Sequence, residues 1–190
     1  MELMTGIFSA FGLSASAGLN AYIPLMVVAL LARYTDLIHL EPPWDTLTSP
    51  WVIVLLAVLL LIEFFADKVP AVNHVNDLLQ TIVRPVAGAI VFAASAKVIS
   101  DVHPVLAMAA GLLVAGGVHA VKAVAVRPAV TATTAGAGNV PVSILEDLIS
   151  TVLSILSVVI PVLFAMFVIV FTSWIVWLFW RKANKVSSTT

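Results

Sequence analysis

The chain contains no cysteine. That excludes a disulfide, a thiol nucleophile and a thiolate metal site, and it leaves the redox compartment unreadable. Charge is the second scarcity: 10% of its 190 residues are charged, where a soluble domain carries about a quarter. Nine Lys and Arg against ten Asp and Glu give a net charge of −1. No basic patch is left to hold phosphates, so nucleic acid is not an expected partner. A nucleophile elbow, a phosphate-binding glycine loop, a zinc-binding helix and a Ser/His/Asp pattern are all missing, and no catalytic residue is assigned. An enzyme is the less favoured class, and no cofactor is implied.

What is present is apolar. The chain is 62% hydrophobic, with a mean hydropathy of +1.13. It is too apolar for a soluble or disordered protein, and its runs have the length of membrane-crossing helices. The expected class is an all-α integral membrane protein whose partner is the lipid bilayer. Its architecture is a polytopic bundle of about six spans, with five or seven as alternatives. The whole of residues 1–190 forms one transmembrane domain; a homo-oligomer fits this class. A cleaved signal peptide is not expected, because Glu2 stands where a basic segment should precede Ala15-Ser16-Ala17.

The first run, residues 3–32, is interrupted by Gly18, Asn20 and Pro24. Glycine weakens a helix and proline removes one of its hydrogen bonds. The expectation is a broken or bent first helix, or a re-entrant pair of half-helices. Residues 34–50 form a polar loop, and Trp51 opens a second run at an interfacial position. Residues 73–99 have the length of one span with an amphipathic entry turn. A fourth run covers 105–121 and ends at Lys122 and Arg127; a Thr/Gly-rich loop covers 127–142. The 38 residues from Ser143 to Trp180 would make a straight helix of ~57 Å, nearly twice a bilayer's hydrocarbon core. Either Pro161 turns the chain between two spans, or the first part lies along the interface. Ser143 and Glu146 fit a capping box at a helix start.

With six spans and both termini cytoplasmic, seven Lys and Arg lie inside and only Arg33 and Lys97 outside. The acidic loop 34–50 then faces out. Two segments also recur. Pro50 and Pro104 are each followed by an apolar run and then a lysine eighteen residues on, Lys68 and Lys122. Residues 72–83 align with 142–153, pairing Asn73 with Ser143, Asp77 with Asp147 and Thr81 with Thr151. The reading is a duplication of units 50–99 and 104–160, running in parallel.

The candidate binding residues follow from charge in an apolar chain. Glu63 and Asp67 are four apart and share a helix face, where one is neutralised or a cation sits between them. The plainer reading places them, with Lys68, at the inner end of the second span. His119 and Lys122 are three apart on the fourth run and form a basic counterpart, or simply an interfacial pair. Asp77 and Asp147 either belong to the site or offset helix dipoles. Asn20 sits at the helix break, where transporters expose backbone groups to substrate. Arg127, Thr133, Thr134 and Gly136 could cradle an anion. His74 and Asp77 with Glu63 or Asp67 match no tight ligand motif, so no metal is assigned.

Three segments together carry a resemblance: Gly18-Leu19-Asn20-Ala21-Tyr22-Ile23-Pro24, Glu63-Phe64-Phe65-Ala66-Asp67-Lys68-Val69-Pro70, and Arg127 with Thr133-Thr134-Ala135-Gly136. The chain resembles, over about residues 8–170, a bacterial membrane family designated a domain of unknown function, four-one-two-six. The resemblance implies a small multi-span protein of bacterial membranes and carries no activity or site residue with it; the expected location is the bacterial cytoplasmic membrane. On the residues alone, the expected function is a small transporter or channel for an unknown solute or ion, with proton coupling. The alternatives are a membrane-embedded protein or enzyme handling lipid headgroups, and a structural or assembly subunit.

Overall fold

The computed structural model of the chain describes residues 2–66, 70–96, 103–159, 170–174 and 177, the side chains of 2–5, 70–75, 77 and 96 excepted. Among these residues there is no strand. Seven helices follow one another: α1 (Glu2–Leu19), α2 (Tyr22–Tyr34), α3 (Pro50–Ala66), α4 (Pro70–Ala96), α5 (Pro104–Val121), α6 (Arg127–Thr134) and α7 (Asn139–Val159). A 3-10 turn, Trp44–Thr48, precedes α3. Proline is the first residue of α3, α4 and α5. Its fixed φ suits a helix start, and the N–H it lacks would have no partner there anyway.

The protein is an all-α bundle. Three segments are long and apolar enough to cross a membrane: Leu78–Ser95 within α4, the continuous Pro104–Thr134 helix, and α7. The distribution of side chains suits lipid rather than water. Arg84, Glu63, Asn20 and Lys122 are buried, while Trp51, Leu55, Leu61, Leu113 and Leu148 point outward. A bundle in water would reverse that arrangement.

Helix directions follow from the contacts. The rings of Phe11 in α1 and Phe92 in α4 meet edge to face, with centroids 5.0 Å apart. Ser14, one turn further along α1, reaches Gly88, one turn earlier in α4. These two helices therefore run antiparallel. Ser14 also donates to the Gly111 carbonyl at 2.7 Å, and Gly18 packs on Ala115 and Val118, so α5 runs with α1. Asn20 meets Asp147, and Ser16 meets Ser150 and Ser154, so α7 runs against it.

The break in the first apolar run is a reversal. Tyr22, the first residue of α2, lies within electrostatic reach of Glu63 near the end of α3. Arg33, near the end of α2, donates to the Thr48 carbonyl just before α3, at 2.6 Å. Trp44 packs against the cluster of Ala10, Phe92, Ala93 and Ala107. The chain climbs through α1, folds back at Asn20–Ala21 and descends through α2. The interrupted run thus forms two antiparallel helices, a helical hairpin, rather than a bent single helix. One consequence corrects the six-span arrangement: the beginning of α1 and residues 34–50 share one end of the bundle instead of lying at opposite ends. The cause is local. Asn20 Oδ1 accepts from both Tyr22 N and Ile23 N at 3.1 Å. Pro24, in the same first turn, has no N–H to satisfy.

The tip of this hairpin stops part-way along its neighbours. Helix α1 is about 27 Å long and the 31-residue Pro104–Thr134 helix about 46 Å. The α1 end lies beside Lys122, near the middle of that longer helix.

The second half departs from expectation in three places. Lys122 and Arg127 do not end the fourth run; a π turn, Lys122–Val126, carries α5 into α6. The Thr/Gly-rich 127–142 segment is helix up to Thr134, with the irregular part confined to the turn at 135–138. Ala135 and Gly136 there have φ of 51° and 89°, the left-handed conformation that closes helices and favours glycine. Finally, α7 starts at Asn139 rather than Ser143. Pro141 in its first turn fits a start there, and Ser143 is buried inside the helix. By contrast, α4 is one helix of 27 residues with Pro85 inside it. Pro161 and residues 181–190 lie outside the described residues.

Candidate functional site

Two levels of α1 face the same neighbours with different chemistry. At the Ser14 level the packing is close and uncharged. A Cβ on Gly111 would run into the Gly88 carbonyl and Phe92, and one on Gly88 would meet Ala115 and, at 2.9 Å, the Ser14 hydroxyl. Small residues of this kind let helices approach through their backbones in lipid. Ser16 continues the polar line toward α7. Its Oγ lies 2.8 Å from the Ser150 carbonyl and 2.7 Å from Ser154 Oγ. A hydroxyl has one proton, so Ser16 donates to the carbonyl and accepts from Ser154.

At the hairpin tip the packing gives way to charge. Asn20, only 1% exposed, donates from Nδ2 to Asp147 Oδ1 at 3.0 Å. Its carbonyl oxygen is held by the two α2 amides, so the amide has one orientation. Lys122 donates to the Leu19 carbonyl at 3.0 Å and pairs with Glu146 at 2.8 Å. Arg127 reaches the same carboxylate oxygen at 3.4 Å. Beside this group, Arg84 of α4 pairs with Glu63 of α3 at 3.0 Å, with side-chain exposures of 0% and 1%. Arg84 Nη1 also lies 3.1 Å from His119 Nδ1, and His119 Nε2 lies 3.2 Å from Thr81 Oγ1. Arginine only donates. His119 Nδ1 is therefore the acceptor, and the neutral ring carries its proton on Nε2, toward Thr81. Lys122 and Arg84 are close enough for their like charges to repel, so the two groups are neighbours.

Near the middle of a bilayer an isolated charge costs at least about 2.5 kcal/mol. Pairing offsets much of that. Gln80, one turn before Arg84, is 3% exposed, and its Oε1 has no hydrogen-bond partner among the described residues.

The structure brings together Asn20, Glu63, His119, Lys122 and Asp147 from the expected set. Asp67 and Lys68 lie outside the described residues, as do the side chains of Asp77 and His74. Arg127 joins the network through Glu146, but it is not gathered with Thr133, Thr134 and Gly136. Thr133 donates to the Ala129 carbonyl and Thr134 to that of Val130, at 2.8 and 2.7 Å. Both hydroxyls donate to their own helix, and both side chains are exposed, while Arg127 is buried. Among the described residues no group of three or more His, Asp or Glu side chains could hold a metal.

Arg84, Glu146, Thr81 and Gln80 lie among these residues, and Ser150 and Ser154 of α7 lie next to them; none of the six is among the expected residues. A signal for them was present. In the aligned segments Asn76 and Gln80 match Glu146 and Ser150, and the next turn matches Arg84 with Ser154. All six are buried. Four-residue spacing places each set of three on one helix face.

Over residues 7–181 the sequence matches the family described as Domain of unknown function (DUF4126). The chain belongs to the DUF4126 family. Neither a curated protein nor a solved structure matches it. In this DUF4126 chain, Asn20, Glu63 and Arg127 all take part in the charged network.

Proposed function

We propose that this protein is a membrane transporter or channel for a small solute or ion, with protons taken up and released at Glu63 and His119, the two titratable groups that flank Arg84. The observation that carries this reading is the helical hairpin. Its tip ends part-way along the neighbouring helices, and it is met there by buried charges from α3, α4, the π turn, α6 and α7. Broken helices whose free ends face charged side chains are how transporters hold ions and solutes inside a bilayer. Ionisable residues in that position mark pathways and relays more often than packing. The unused Gln80 acceptor adds a polar atom that a ligand could take up.

The proposed site is Asn20, Glu63, His119, Lys122 and Asp147, joined by Arg84 and Glu146. The proposed location is the bacterial cytoplasmic membrane, with the α6–α7 turn toward the cytoplasm on the sequence bias of basic residues. Since the start of α1 lies at the opposite end, with residues 34–50, it is placed outside. This replaces the arrangement with both termini inside. In the proposed parallel duplication, α3 and α4 correspond to α5 and α7.

The test is flux. Protein in liposomes loaded with a pH-sensitive dye, under a potassium diffusion potential, is expected to admit protons. Glu63→Gln is expected to reduce the rate at least tenfold. Equal rates for wild type, Glu63→Gln and empty liposomes would remove the reading. They would favour the structural or assembly role, which the pairing of Glu63, Arg84, Lys122 and Glu146 also suits.

A further inference from the structure

We propose that the Leu19 carbonyl and the Glu146 carboxylate form a binding site for a small monovalent cation, with the Lys122 ammonium as its built-in occupant. It rests on the reading of the hairpin tip as an ion or solute site and names the ligand class.

The position of Lys122 is unusual for a lysine in an apolar helix. Such side chains normally extend along the helix until the ammonium reaches water. Lys122 instead points inward and is 3% exposed. It also opens the π turn, a widened turn often found at functional sites. Its ammonium holds two oxygens of different origin, Leu19 O at 3.0 Å and Glu146 Oε2 at 2.8 Å. Leu19 is the last residue of α1, and the final carbonyls of a helix have no partner within it. They carry about half a negative charge together. A free helix end plus a carboxylate is the oxygen set with which interrupted helices hold sodium or a proton. Here a tethered ammonium fills it.

Glu146 pairs with two cations, Lys122 and Arg127. Shortening Lys122 takes away one of these charges and, at the Leu19 carbonyl, the ammonium itself. Ammonium, methylammonium or sodium has the charge and size to replace it. Choline, with the same charge and a bulky head, does not fit the same space.

The experiment measures thermal unfolding of the purified full chain in detergent, with ammonium, methylammonium or sodium chloride against choline chloride at equal ionic strength. For Lys122→Ala the midpoint is expected to rise by a few degrees, saturably, with at least one small cation and not with choline. Wild type is expected to show no such difference, because its site is filled. Lys122→Ala combined with Glu146→Gln is expected to lose the response. Equal shifts in all cations, or the same response in wild type and Lys122→Ala, would overturn the proposal. If Lys122→Ala is recovered only as aggregate, the comparison is read in Lys122→Gln, with the same expected and contrary results. The readout is binding, so a negative result would leave the proton-flux reading intact, and an absence of flux would leave this site standing.

Discussion

One helix, α1, crosses two environments within two turns. Around Ser14 it touches α4 and α5 through glycines and a shared hydroxyl, with no charge nearby. Around Leu19 and Asn20 it ends among Lys122, Glu146 and Asp147, with Glu63, Arg84 and His119 alongside. The first region is what a membrane bundle uses to hold helices together. The second spends that stability: it buries at least five charges, where apolar residues of the same size would pack at least as well. The difference teaches where to look for function. A protein that needed only the bundle could have continued the Ser14 packing to the end of α1.

The largest effect should come from breaking a pair in the charged region. Arg84→Leu leaves Glu63 buried without its 3.0 Å partner and is expected to cost about 3–5 kcal/mol in unfolding measurements. Glu63→Leu combined with Arg84→Leu should recover most of that loss. If the double variant is as unstable as Arg84→Leu alone, the pair is not the unit described. Next comes the packed region. Gly111→Ala forces a methyl against the Gly88 carbonyl and Phe92 and should cost about 1–3 kcal/mol. A stability equal to wild type would mean that α4 and α5 do not approach as closely as this.

Asn20→Ala removes the acceptor for Tyr22 N and Ile23 N, with an expected loss of about 1 kcal/mol. It should alter flux more than that loss of stability implies, because the link to Asp147 goes as well. Ser14→Ala should cost ~0.6 kcal/mol, typical of one hydrogen bond between membrane helices, and leave flux unchanged. Together these two variants sharpen the contrast: similar costs in stability, opposite consequences for activity. The smallest effect is expected at Thr133→Ala, whose exposed hydroxyl bonds only to its own helix. A change beyond about 0.5 kcal/mol in unfolding would contradict that placement.

Local signals made much of this visible in the sequence. Pro50, Pro70 and Pro104 begin helices, and Gly18, Asn20 and Pro24 mark the interruption of the first run. All of them act on their own turn of backbone. Whether that interruption bends the chain or reverses it depends on what packs beside it, here α3, α4 and α7, and no local pattern records this. Lys122 and Arg127 look like the end of a helix because charge normally meets water there. The π turn and Glu146 hold them inside instead. Glu146 itself resembles one half of a capping box, since Ser143 three residues earlier fits that pattern equally well. Arg84 reads as an orienting charge until Glu63 and His119 are found around it. The same physical rule, that an apolar chain carries charge only where something holds it, applies at both stages. Structure supplies the identity of the partners.

On the transport proposal, the tip, where Asn20 is buried in this arrangement, opens to water and solute, and the packed level below it does not. Because the chain has no cysteine, single cysteines report this directly. Asn20→Cys and Leu13→Cys, in native membranes, would be exposed to a membrane-impermeant thiol reagent from each side in turn. The account predicts that position 20 reacts from the side bearing the α6–α7 turn, and that position 13 reacts from neither. Protection of position 20 from both sides, in a folded protein, would contradict it.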